Sequence, residues 1–255
     1  MNLKNALLVS ILMAGASGVA SAQSATNWTG LYLGANAGYG FGKSDVTSTI
    51  TYTGYYYPSA ALSNAVNASG ADSVKPKGFT GGITFGYNAQ NGNMVYGFEM
   101  DANTFSAKGD RSATGTYPGY PGLTYTVNQT TKATYLATFR GRIGYATGRS
   151  LWFGTAGLAM TSIKIEDSFS DNVAPATESA SASKSKAGWT IGGGYELDMQ
   201  NNWSFKAELL YVNFGKVTVD GGPFTVAGTP SANNPVTHTA DLKAEVIRVG
   251  FNYRF

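Results

Sequence analysis

The sequence predicts an all-β fold: an eight-stranded antiparallel up-and-down transmembrane β-barrel with four long extracellular loops and three short periplasmic turns. Three observations carry that prediction. Side-chain polarity alternates with period two in eight separate runs, and helical spacing is nearly absent. Short and long connections between the runs alternate strictly, as in an outer-membrane barrel with short periplasmic turns and long outer loops. The 255 residues include 33 glycines and 13% aromatics, but only 13% charged residues and no cysteine. Disulfides, thiolate metal sites and cysteine nucleophiles are therefore excluded together. A formal net charge of +3 argues against a dedicated nucleic-acid binder. No apolar run after residue 22 approaches the roughly 18–20 residues that a spanning helix needs.

The first segment, Met1 to Ala22, has the form of a secretory signal peptide. Lys4 supplies the positive start, Ala6 to Ala16 the apolar stretch, and Ala20-Ser21-Ala22 the small-x-small cleavage pattern. Residues 23–255 are then the barrel domain. In its first run Leu31, Leu33, Ala35, Ala37, Tyr39 and Phe41 share one face, opposite Tyr32, Gly34, Asn36, Gly38 and Gly40. The second sets Phe79, Ile83, Phe85 and Tyr87 against Thr80, Gly82, Thr84 and Gly86; the third sets Met94, Tyr96, Phe98 and Met100 against Gly97, Glu99 and Asp101. The fourth opposes Tyr135, Ala137, Phe139, Ile143 and Tyr145 to Thr138, Arg140 and Arg142. The fifth, Leu151 to Ile165, is apolar on both faces, which leaves its orientation open. The sixth opposes Trp189, Ile191, Tyr195 and Leu197 to Glu196 and Asp198, and the seventh Trp203, Phe205, Ala207, Leu209 and Tyr211 to Lys206 and Glu208. The last opposes Ile247, Val249, Phe251, Tyr253 and Phe255 to Arg248, Asn252 and Arg254. Turn-like connections fall at 88–93, 146–150 and 199–202, and long polar segments at about 43–76, 106–131, 166–186 and 215–241.

Charge decides which face is inside. Lipid offers backbone amides no partner, so a spanning sheet must close, with apolar side chains and aromatic girdles outward and polar side chains inward. The polar faces hold Glu99, Asp101, Glu196, Asp198 and Glu208 against Arg140, Arg142, Lys206, Arg248 and Arg254. An eight-stranded barrel is barely wide enough for its own side chains, so charges within it are desolvated and must pair. The expectation is a lumenal ion-pair network that plugs the bore, with Glu99 and Asp101 level with Arg142 and Arg140, and Lys206 and Glu208 near Arg248. A narrow channel is the alternative; a wide diffusion porin is excluded by strand number.

The segment Trp28-Thr29-Gly30-Leu31-Tyr32-Leu33-Gly34-Ala35-Asn36-Ala37-Gly38-Tyr39-Gly40, the stretch Lys206-Ala207-Glu208-Leu209-Leu210-Tyr211-Val212-Asn213-Phe214-Gly215 and the terminal Val246-Ile247-Arg248-Val249-Gly250-Phe251-Asn252-Tyr253-Arg254-Phe255 resemble the alphaproteobacterial small outer-membrane immunogenic proteins. These are opacity-like, porin-annotated eight-stranded barrels that include hemin-binding surface proteins. The resemblance implies location in the cell outer membrane of a Gram-negative bacterium, abundant surface display as an antigen, and roles in envelope integrity and contact with host or environment. It also implies that Phe251, Tyr253 and Phe255 form the signal read by the barrel assembly machinery. Expected partners are outer-membrane lipid, lipopolysaccharide and host surface ligands, with no nucleic acid.

No catalytic or metal site is assigned. His238, the single histidine, lies in the fourth long segment with Asp241 nearby and Ser231 further back, but a loop interrupted by Pro223, Pro230 and Pro235 does not hold three groups to catalytic tolerance. No enzyme activity is expected. No cofactor is required, and hemin is the one ligand considered. Iron takes His or Tyr axially, and Tyr55, Tyr56 and Tyr57 share the outer end with His238. Gly192-Gly193-Gly194 lacks the following helix and Lys-Ser of a phosphate loop and serves to give the sheet room to bend.

Overall fold

A sheet immersed in lipid is stable only when its last strand finds its first, and here it does. The computed structural model describes residues 26–50, 59–173, 176–220, 224–231 and 236–255; the expected signal peptide lies outside them. Its elements are β1 (Gly30–Ile50), α1 (Ala60–Gly70), β2 (Asp72–Val74), β3 (Lys77–Asn91), β4 (Met94–Thr116), β5 (Thr124–Thr147), β6 (Ser150–Asp171), β7 (Ala176–Asp198), β8 (Trp203–Asp220), β9 (Phe224–Val226), β10 (Thr229–Ser231) and β11 (Val236–Arg254). The eight long strands pair antiparallel in the order β1, β3, β4, β5, β6, β7, β8, β11, and β11 returns to β1 along Arg254 to Val236. Paired residues followed once round, from Leu33 through Phe85, Met100, Phe139, Leu158, Trp189, Asn213 and Lys243, return to β1 at Lys43, ten residues further along. That stagger tilts the strands by roughly 35–45°. It also means that residues at one height are not directly opposite one another but climb from strand to strand.

The three short turns join β3 to β4, β5 to β6 and β7 to β8. Gly92 and Gly148 take the left-handed backbone at the first two (φ +59° and +57°). The third runs through Gln200, Asn201 and Asn202, all at positive φ.

The outer face carries the apolar band. Phe79 is 76% exposed, Ile83 and Leu158 62% each, and Leu33, Phe139 and Phe251 about half. It begins near Leu31 on β1 and ends at Phe41, about 25 Å along the barrel axis for strands of this tilt. Ring pairs mark its edges: Trp152 with Tyr195 and Trp203 with Tyr253 at the turn end, Tyr39 with Phe79 and Trp189 with Tyr211 at the other.

Beyond the band the pattern inverts. The outward positions become Lys43, Asp45 and Thr47 on β1, while the inward ones become Val46 and Ile50; on β8, Val217 and Val219 turn inward and Lys216 and Thr218 outward. Water has replaced lipid as the outer solvent, so the apolar side chains move inside. This is why the polar segments at 43–76, 106–131, 166–186 and 215–241 are mostly strand rather than loop: β1, β4, β5, β6, β7, β8 and β11 all run on into them. Four connections remain at this end, and two of them hold elements of their own, α1 with β2 and the β9–β10 hairpin. The orientation of 151–165 is also resolved. Leu151, Phe153, Thr155 and Ile163 point inward, and Trp152, Leu158 and Met160 toward lipid.

Candidate functional site

Inward-facing side chains stack in layers. Nearest the turns, Trp28, Val95, Ala146 and Leu151 form a small apolar cluster, and the Arg254 guanidinium lies 5.2 Å from the Trp28 ring centre. Arg254 also reaches Asp198 at 3.4 Å.

Above this lies the charged layer. Arg140 on β5 donates to Glu99 and to Asp101 (2.8 Å) on β4, and across the bore to Glu208 on β8 (2.5 Å). The Thr138 and Thr155 hydroxyls accept its remaining donors. Arg248 on β11 donates to Glu208 (2.7 Å) and Asp101 (2.8 Å). Lys206 reaches both oxygens of Glu99 at 2.8 Å. Arg142 pairs with Glu196, whose other oxygen accepts from Ser204 and Asn252. All eight are buried, Glu99 and Arg140 completely. The eight therefore form one neutral cluster, four acids and four bases, with Asp198 and Arg254 as a separate pair nearer the turns. Strand alternation made this layer legible. Two members escaped it: Tyr32, whose hydroxyl donates to Glu99 at 2.8 Å, and Phe153, whose ring lies 4.0 Å beneath the Arg142 guanidinium. Tyr32 was visible on the polar face of the first run; Phe153 had no signal while its strand's orientation was open.

A third layer is apolar, with Val46, Phe105, Leu136, Ile163, Val212 and Leu242 among its members. Over it sits a second polar cluster, where the expectation for His238 is corrected. His238 is not on an exposed loop; it lies on β11 facing inward, 3% exposed. Its Nδ1 is 2.7 Å from an Asp167 oxygen and 2.9 Å from the Ser48 hydroxyl, and its Nε2 is 3.6 Å from Glu178. Burial alone pulls the imidazole pKa down, but the Asp167 and Glu178 carboxylates outweigh it and push the pKa up to about 9. Pairing of β1 and β11 continues to Ile50 and Val236, which turns an expected loop into barrel wall. Asp241, its neighbour in sequence, faces outward and pairs with Lys243. Asp167 and Glu178 were missed because they lie in a segment read as loop; they continue the inward faces of β6 and β7.

α1 covers this cluster. Val66 packs with Ile50, Tyr125, Val127 and Phe169. The Asn67 side chain exchanges two hydrogen bonds with the Ile50 backbone, and Gln129 donates both to Ser48 and to the Gly70 carbonyl at the end of the helix. Tyr55, Tyr56 and Tyr57 lie outside the described residues. At the chain terminus, Phe251 and Phe255 point outward with their rings against Phe205 and Tyr253, and the Phe255 amide donates to Leu31 across the closing seam.

The sequence matches the family model described as outer membrane protein beta-barrel domain over residues 8–255. It is 35% identical over 236 residues to the 31 kDa outer-membrane immunogenic protein of Brucella melitensis, covering 90% of this chain and 84% of that one. Identity to the 25 kDa outer-membrane immunogenic protein of Brucella abortus is 28% over 229 residues, with 90% and 80% covered. Among solved structures, OprG of Pseudomonas aeruginosa aligns with a TM-score of 0.47 at 13% identity, covering 90% of this chain and 98% of that one. Neisserial surface protein A aligns at 0.42 and 13%, covering 89% and 98%.

Proposed function

The chain belongs to the outer-membrane β-barrel family of small immunogenic proteins, and on that premise we propose that it is a structural surface protein, not a channel or an enzyme. Its bore is closed by its own side chains, and its outer end displays α1 and the β9–β10 hairpin to the environment or host. The observation that carries this reading is the neutral cluster of eight buried charges spanning the lumen. An ion crossing that layer would have to break charge-assisted hydrogen bonds such as Arg140–Glu208 and Arg248–Asp101, each costing several kcal/mol with no water to replace it. The apolar layer above would add a desolvation barrier. A closed, cross-braced cylinder stiffens the envelope and holds its outer segments at a fixed height. A hemin ligand role for His238 is disfavoured, because its ring is buried inside the wall, with Asp167 and Ser48 against Nδ1 and Glu178 near Nε2, and leaves no space for a porphyrin.

Planar-bilayer recording of refolded protein tests this. After insertion has been verified by protease protection, no discrete conductance step is expected. Regular steps from wild-type protein would refute the closed bore.

A further inference from the structure

Sequence order scatters the lysines, but the barrel's register collects them. Directly across the strands stand Lys43 and Lys243, Lys77 and Lys108, Lys108 and Lys132, and Lys132 and Lys164. All face outward just beyond the apolar band. With the ten-residue stagger each directly paired step in this direction climbs about 3 Å, so Lys43, Lys77, Lys108 and Lys243 fall within a belt roughly 5 Å tall, while Lys132 and Lys164 stand above it. Like charges placed opposite one another on a sheet are destabilising in water, so these four pairs need counter-charges. Lys132 and Lys164 share one: both reach Glu166 at 2.6 Å. On β1, β4 and β11, Asp45, Asp110 and Asp241 pair with Lys43, Lys108 and Lys243, yet each stands one outward-facing position further from the membrane than its lysine. Lys77 has no carboxylate within ion-pair distance among the described residues.

Beneath these lysines the outer wall is hollowed. A shallow, open groove of about 690 Å³ runs over β11, β1, β3 and β4. Its floor is the cross-strand row Val249, Ala37, Gly81 and Thr104, and its upper wall is Tyr39, Phe41 and Phe79, packed edge to face. Gly81 is not demanded by the backbone. Its φ is ordinary for any residue, and a Cβ there would meet only the Asn36 carbonyl, at 3.4 Å. The hollow is a property of the side chain chosen.

We infer that this face binds a phosphorylated lipid of the outer leaflet, with an acyl chain in the groove over Gly81 and its phosphate held by Lys43, Lys77, Lys108 and Lys243. The lysines stand where the headgroup plane meets the upper aromatic edge, and basic side chains at that level attract anionic headgroups. Glu245 opposes the arrangement: it faces outward across from Phe41, on the membrane side of Lys243, and limits the net charge at the mouth.

The probe is bisphosphorylated hexa-acyl lipid A added to detergent-purified protein and counted per barrel by native mass spectrometry. Wild-type protein should retain one molecule. Lys43→Gln/Lys77→Gln/Lys243→Gln should weaken retention at least tenfold, Gly81→Leu should do so with all lysines present, and Glu245→Gln should strengthen it several-fold. Lys132→Gln/Lys164→Gln, on β5 and β6 beside the groove but higher and already paired with Glu166, should leave it unchanged. Only variants that keep the heat-modifiable gel mobility of a folded barrel are compared, and Gly81→Leu, on the lipid-facing surface, serves if the triple variant does not fold. The inference is overturned if enzymatically dephosphorylated lipid A binds as well, if inorganic phosphate competes at equal concentration, or if the two lysine sets lower binding equally.

Discussion

Arg140→Met offers the sharpest test of the lumenal cluster. Removing the guanidinium leaves Glu99, Asp101, Glu196 and Glu208 facing Arg142, Lys206 and Arg248, so a neutral cluster acquires one uncompensated negative charge out of contact with water. Breaking a buried pair from one side costs about 3–5 kcal/mol. The lower end applies here, because each abandoned carboxylate keeps a second cation: Lys206 on Glu99, and Arg248 on both Asp101 and Glu208. About 3 kcal/mol is expected. Glu208→Gln leaves an excess positive charge and should cost a similar amount. The double variant is neutral again, so its cost should fall about 2–3 kcal/mol short of the sum, at the upper end of couplings seen between contacting residues. Urea midpoints in detergent micelles at neutral pH, followed by tryptophan emission with the slope held constant, give all three values. Additive single effects, or a single loss below about 1 kcal/mol, would show the charges to be hydrated and the reasoning wrong.

Other perturbations probe the remaining layers. The His238 pKa, about 9 when folded against roughly 6.5 unfolded, means that its contribution is fully present below pH 6.5 and lost as pH rises through 9. Its full size is about 3 kcal/mol, so wild-type stability should fall over that window while His238→Gln stays flat; parallel profiles would refute the pairing. Gly38→Ala would set a Cβ 2.2 Å from the Ile247 carbonyl at the closing seam, and overpacking of this kind costs about 1–3 kcal/mol. An unchanged urea midpoint would show that β1 and β11 part more easily than their register implies. Deleting Phe255, which is 72% exposed, should lower the yield of folded protein in the membrane but move the midpoint of refolded protein by no more than about 0.5 kcal/mol. Normal membrane yield would remove its role in assembly.

Alternation alone identified the strands and sorted ten charged residues to one face. Period two is a local property, and the requirement that lipid-facing side chains be apolar acts on each strand separately. The terminal aromatics and the short turns were legible for the same reason. What failed was any inference from polarity about where strands end. Residues such as Thr47, Ser168 and Thr218 look like loop when the outer solvent is taken to be lipid throughout, yet they form the watered face of a wall whose inner side is Val46, Phe169 and Val219. Tertiary structure alone decided that inversion, because only it shows where the membrane stops. It also moved His238 from surface to interior, joined Arg140 to Glu208 across 68 positions of sequence, and brought lysines from four strands to nearly one height. Each depends on the stagger with which the barrel closes, a single number belonging to the ring as a whole that no one strand encodes.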